Sequence, residues 1–183
     1  MSKIYTDIMI DIETLGTTPN AQVLSIAAVA FNPFEITTDF SENPTIDLLL
    51  TLEDQQNRHV DDGTLVWWSK QSHEVQDRIF GESDRVSIVE SLEQLSKFCW
   101  LKNRIWAQGI TMDICILTDL YGEHKKSVPW NYGAVRDSRT LLDLYSVNQP
   151  LVTHDSLADV LRQISGTQQA IKGLGITKFV REH

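Results

Sequence analysis

Two neighbouring segments near the N-terminus restrict what this chain can fold into. Residues 4–13, IYTDIMIDIE, alternate: Ile8, Ile10 and Ile12 lie on one side, Met9, Asp11 and Glu13 on the other. A period of two is the pattern of a β-strand. GTTPN, residues 16–20, is a turn. The next segment, QVLSIAAVAF at 22–31, is almost continuously apolar, as in a strand buried within a sheet. Two such strands need further layers packed against them.

The remaining pattern supplies those layers. TIDLLL, residues 45–50, reads as a third strand. From about Asp61 the pattern turns helical, through TLVWWSKQ and HEVQDRIF up to Gly81. A longer helix is predicted over 86–102, where Val86, Ile88, Val89, Leu92, Leu95, Phe98 and Cys99 form one stripe. RIWAQG at 104–109 is a short strand, and 111–121 a helix with Thr111 as N-cap. Residues 122–136 read as loop or weak strand, and 138–147 as a helix. THDSLADVLRQI, from 153, opens the last long helix, broken by Gly173 and Gly175. The expectation is an α/β fold, a mixed sheet with helices against it, in a single domain over residues 1–183.

Composition excludes several classes. The 183 residues are 42% hydrophobic and 22% charged, which fits a globular chain and no coiled coil or collagen. The longest apolar stretch, Leu24 to Phe31, is too short to cross a bilayer. MSKIYTDIMIDIET carries no cleavable signal pattern, so a cytoplasmic protein is expected. Cys99 and Cys115 have no metal-type spacing and read as reduced, half-buried core residues. The net charge of −9 argues against a non-specific nucleic-acid coat, which needs Lys and Arg for phosphates. It does not argue against an enzyme that meets phosphates through metal ions, because that chemistry begins with an acidic pocket.

The chemistry-bearing residues are few. Asp11 and Glu13 project from one face of a strand end, where like charges repel unless a cation lies between them. A divalent metal satisfies them, and so does solvent at an exposed strand end. Asp113 sits in a first helical turn, which the helix macrodipole alone favours. His154 and Asp159 would diverge by about 140° on one continuous helix, so His154 has to precede the helix. Ser156-x-x-Asp159 also matches a capping box. Trp67-Trp68 offers base stacking or core packing, and Arg136, Asp137 and Arg139 a phosphate site or an ion pair.

Taken together, these residues resemble the DEDDh 3′→5′ exonucleases. That family carries Asp-x-Glu, then Asp, then His-x-x-x-x-Asp, which stand here as IDIETLG (10–16), AQGITMDICIL (107–117) and HDSLAD (154–159). TLVWWSKQS (64–72) and VRDSRTLLDL (135–144) are similar to segments of its small phage-type branch, which holds phage exonuclease A and small bacterial 3′-5′ exoribonucleases. The likeness runs from about residue 5 to 165.

The resemblance implies an RNase H-like fold, a mixed five-stranded sheet flanked by helices, with a fifth strand near Gly133-Ala134-Val135. It implies that Asp11, Glu13, Asp113 and Asp159 hold two Mg²⁺ or Mn²⁺ ions. His154 would be the general base, since imidazole titrates near neutral pH. It also implies substrate contacts from Leu15 as an apolar wedge and from the turn at Gly16, with Trp68 and Arg139 as further candidates. The substrate would be a single-stranded DNA or RNA 3′ end, the sugar open. A homodimer is compatible with all of this.

Overall fold

The computed structural model describes residues 4–180. Five strands form one sheet: β1 (Asp7–Thr14), β2 (Val23–Phe31), β3 (Thr45–Leu49), β4 (Arg104–Ala107) and β5 (Val135–Asp137). Their spatial order is β3-β2-β1-β4-β5. β2 runs antiparallel to β1 and to β3, whereas β4 runs parallel to β1 and to β5. This is the mixed five-stranded sheet that the resemblance implies. Among the described residues six α-helices accompany it: α1 (Asp62–Trp68), α2 (His73–Phe80), α3 (Ile88–Phe98), α4 (Asp113–Glu123), α5 (Ser138–Leu144) and α6 (Ser156–Gly173).

The alternation of β1 sorts its side chains between two layers. Ile8, Ile10 and Ile12 pack with Leu92 and Leu95 of α3 and with Leu117 and Leu120 of α4. Met9 packs on the other face with Val160, Ile164 and Ile171 of α6. Burying one such aliphatic side chain contributes about 1.5–3 kcal/mol. All nine residues of β2 are buried, because helices cover both of its faces. Asp11 and Glu13 therefore lie on the α6 side, by the same parity as Met9. Beyond the end of β1, Leu15, Leu24, Leu49, Trp68 and Ile79 form a smaller cluster under α1 and α2.

Several boundaries and caps differ from the sequence reading. Val86 does not open α3. It bridges Leu50 as an extension of the sheet, and Ser87 caps the helix by accepting from Glu90 N. The N-cap of α4 is Met112, with no side-chain cap, in place of Thr111. α6 is capped by Asp155, which accepts from Ala158 N, and not by Ser156. Ser156 is buried, with its hydroxyl 3.0 Å from that of Ser25 on β2, which ties the start of α6 to the sheet. α5 ends at Leu144, short of 147. Cys99 is buried but Cys115 is exposed, because α4 turns that side away from the sheet; both are free thiols. Among the described residues no helix is long and apolar enough to cross a membrane.

Candidate active site

Parallel pairing of β1 and β4 brings their C-terminal ends to the same edge of the sheet. Asp11 and Glu13 are at the end of β1, and Asp113 opens α4 just beyond β4. The Asp113 carboxylate accepts a hydrogen bond from Ile12 N at 3.3 Å, so it sits directly against β1 between the two acids. Gly109 makes the turn from β4 into α4 at a φ of +121°, a conformation that favours glycine. A Cβ there would lie 2.9 Å from the Arg139 guanidinium.

The fourth acid comes from α6. Asp159 is 2% exposed and faces the end of β1. Its Oδ2 accepts from His154 N at 2.9 Å, both its oxygens from Thr153 N at 3.3 Å, and its Oδ1 from Arg162 Nε at 3.0 Å. His154 lies before α6, as its spacing from Asp159 requires. It adopts a left-handed backbone, φ +57°, which an L-residue holds only under constraint. The Asp159 carboxylate supplies that constraint from one side. From the other, Arg78 on α2 donates to Asp155 at 3.1 Å and to both Asp47 oxygens at 2.6–2.7 Å. The His154 ring stands edge-on to Trp67, centroids 4.6 Å apart.

Glu13, His154 and Asp159 each bring one potential ligand atom to within 4.8 Å of the others. Asp11 stands beside them, its Oδ1 accepting from Gln163 Nε2 at 2.7 Å. Burial pushes the Asp11 carboxyl well above its ordinary range; the charges of Asp113, Glu13 and Asp159 push it further, and only the Gln163 hydrogen bond opposes them. Burial, with Asp159, Asp113 and Asp155, raises Glu13 to about 8. Burial also raises Asp113 to about 6, against the hydrogen bonds from Ile12 N and its own N–H and against the Arg139 charge. Hard oxygen donors crowded until they resist ionising are what a divalent cation relieves. The donor set therefore fits such an ion.

A cleft opens beside Glu13 and His154, walled by Gly16, Asp61, Thr64, Trp67, Trp68 and Met112. Gly16 is buried and contributes backbone to this wall. Two of the predicted substrate contacts also serve the packing, and one of them, Trp68, lines the cleft. Leu15 is 5% exposed within the cluster under α1, so its apolar surface is already used there. Trp68 is 2% exposed and donates its indole N–H to Thr14 O at 2.9 Å, bracing the bulge that ends β1. Helical geometry turns its neighbour outward, so Trp67, 39% exposed, carries the open ring. Arg139 is exposed over Gly109, close to Asp113 and outside the walls of this cleft. Asp61, Thr64, Met112, Arg162 and Gln163 were not singled out from sequence. Asp61 and Thr64 read there only as a helix start, and the structure keeps that role too: Asp61 Oδ1 accepts from Thr64 N and from its hydroxyl.

A family model, the 3′-5′ exoribonuclease Rv2179c-like domain, matches residues 6–170. An exodeoxyribonuclease of Enterobacteria phage T4 is 25% identical, over 91% of this chain and 89% of its own. Among solved structures, the zinc-bound complex of E. coli ExoI with single-stranded DNA is similar at a TM-score of 0.65 and 12% identity, covering 91% of this chain. The chain spans about 40% of the length of that protein. The nuclease domain of 3′hExo, a DEDDh family member bound to rAMP, is similar at a TM-score of 0.62 and 15% identity, covering 100% of this chain and 98% of that one. The chain belongs to the 3′-5′ exoribonuclease Rv2179c-like domain family and has the RNase H-like fold of these solved nucleases.

Proposed function

We propose that the protein is a two-metal-dependent exonuclease that hydrolyses the terminal phosphodiester bond of single-stranded 3′ ends and releases nucleoside 5′-monophosphates. The observation that carries this reading is the meeting of Glu13, Asp159 and His154 within 4.8 Å, beside Asp11 and Asp113, which burial holds above their ordinary range. Asp11, Glu13, Asp113 and Asp159 would hold the two cations. Two divalent ions, Mg²⁺ or Mn²⁺, supply an acidified water and neutralise the charge that builds on the departing 3′ oxygen.

The chain's own residues do the rest. His154 takes the proton of the attacking water on the ring nitrogen that it turns toward Glu13 and Asp159. Its ring is held for that task by the edge contact with Trp67 and by the backbone bond to Asp159. The open face of Trp67 offers the terminal base a stacking surface. Gly16, Thr17 and Asp61 give the sugar and base polar partners at the cleft wall. The family name refers to RNA and the phage relative's name to DNA, and the cleft has acceptors for a 2′-hydroxyl without a group that excludes its absence.

The test is a time course on 5′-labelled single-stranded DNA and RNA, side by side, with Mn²⁺, Mg²⁺ or EDTA. A ladder shortening one nucleotide at a time from the 3′ end, abolished by EDTA, is expected on both. Internal cuts, or hydrolysis that survives EDTA, would overturn the reading. A ladder on RNA alone would narrow it to an exoribonuclease.

A further inference from the structure

α6 and β1 meet in a register that gives each acid of β1 a different partner. Two residues along a strand advance about 6.6 Å, and four along a helix about 6 Å. Asp11 and Glu13 are therefore matched, rung for rung, by Gln163 and Asp159. At the Glu13 rung a carboxylate faces a carboxylate. At the Asp11 rung a carboxylate faces an amide, which donates from Nε2 to Oδ1 at 2.7 Å.

Gln163 is an unusual residue to find there. It is 3% exposed, on a helix face whose neighbours Val160, Ile164 and Ile171 pack into the core. Its Oε1 is buried and has no hydrogen-bond partner among the described residues. An apolar residue of similar length would avoid that cost. Gln168, also buried on α6, differs in every respect: its oxygen accepts from Thr37 N, and its nitrogen donates to Asn32 O and to the Thr37 hydroxyl. Gln168 is accounted for by packing, whereas Gln163 spends a buried amide on one oxygen of one acid. A Lys or Arg in its place would also donate, but its charge would compete with a bound cation for the same carboxylates.

We propose that Gln163 is a positioning residue: its amide holds Oδ1 of Asp11 and reserves the second oxygen for a metal ion, without adding charge to the site. This rests on the metal-dependent reading above. Outer partners that orient a ligating carboxylate commonly change metal affinity by about 10–100-fold when removed.

The test is calorimetric titration of Mn²⁺ into wild type, Gln163→Met, Gln163→Leu and Gln168→Met, with Tm measured with and without the ion. Both Gln163 variants remove the donor at nearly constant volume, and two are made in case one fails to fold. The expected result is a metal-free Tm equal to or above wild type and Mn²⁺ binding weakened about 10-fold or more. The Mn²⁺ concentration for half-maximal hydrolysis should rise in proportion, with kcat largely restored at saturating ion. Gln168→Met should lower Tm and leave Mn²⁺ affinity unchanged. A folded Gln163 variant that binds Mn²⁺ within twofold of wild type would overturn the inference. If wild type itself bound no Mn²⁺, the metal-dependent reading would fail first.

Discussion

The two ends of β1 handle carboxylates in opposite ways. Asp7, at the start of the strand, is fully buried and is answered by protein: Trp106 donates its indole N–H to Oδ2 at 2.8 Å, and Arg104 lies 3.6 Å from Oδ1. The Arg104 guanidinium in turn caps the Phe179 ring at 4.2 Å. Burial raises the Asp7 carboxyl, and those donors hold it back. At the other end Asp11 and Glu13 meet Asp113 and Asp159, and Asp11 receives only the neutral Gln163 amide. One strand thus shows a carboxylate built into the fold and a group in which Arg162 answers Asp159 and Arg139 lies near Asp113, while Asp11 and Glu13 have no cationic side chain acting on them among the described residues. The first arrangement is met from within the chain, by an indole N–H on Oδ2 and a guanidinium charge near Oδ1; the second has the donor set that fits a divalent cation.

The largest expected effect breaks the second site alone. Asp11→Asn or Asp159→Asn should abolish single-nucleotide release, a loss of at least about 10³-fold if one metal site is lost. For Asp11→Asn the metal-free Tm should stay level or rise, since a repelling charge is gone. Asp7→Ala should do the reverse. It leaves the buried Trp106 indole N–H without its acceptor and costs about 1–3 kcal/mol of stability, while the rate per folded molecule is unchanged. Labelled-oligonucleotide assays beside thermal melts read both, and activity lost equally at the two ends would erase the distinction.

A smaller effect is expected at His154, which touches the acids without being one. His154→Ala should lower kcat by about 10²–10⁴-fold with Mn²⁺ affinity nearly unchanged; a near-normal rate would remove it as the base. Next comes pH. The Glu13 carboxyl lies near 8 in the folded chain against an ordinary 4.5, so the folded state binds the proton more tightly than the unfolded one. The metal-free protein should therefore be most stable below about pH 4.5 at this group and lose that contribution as pH rises toward 8. Asp113 adds to the loss between its ordinary 3.8 and about 6. Saturating Mn²⁺ should flatten the slope by favouring the ionised forms, and melts across that range with and without ion measure it. The smallest effect separates the paired tryptophans. Trp67→Ala should raise KM by about tenfold through lost stacking, whereas Trp68→Ala should cost about 3–5 kcal/mol of stability.

That last pair shows how far sequence reading reached. The period of two in β1 gave the strand, its two faces and the acid pair, because parity on a strand is a rigid geometric rule. The five-residue spacing of His154 and Asp159 placed the histidine ahead of α6 for the same reason. Which of two adjacent tryptophans is buried depends on how α1 is rotated against the end of β1, and no local pattern carries that rotation. Leu15 was misjudged on the same ground: the cluster that absorbs it is assembled from β2, β3, α1 and α2. Asp61 and Thr64 carry a complete local explanation as a helix cap, which hides their place on the cleft wall. Gln163 did leave a trace, a polar residue on the apolar stripe of α6 four positions after Asp159. Its meaning needed the rung-for-rung match with β1.

The central claim is that the crowded end of β1 is a cation site. Anomalous diffraction from crystals grown with Mn²⁺ tests it most directly. The account predicts two manganese peaks among Asp11, Glu13, Asp113 and Asp159, with none beside Asp7. Ordered crystals at millimolar Mn²⁺ with no peak among those four acids would contradict it.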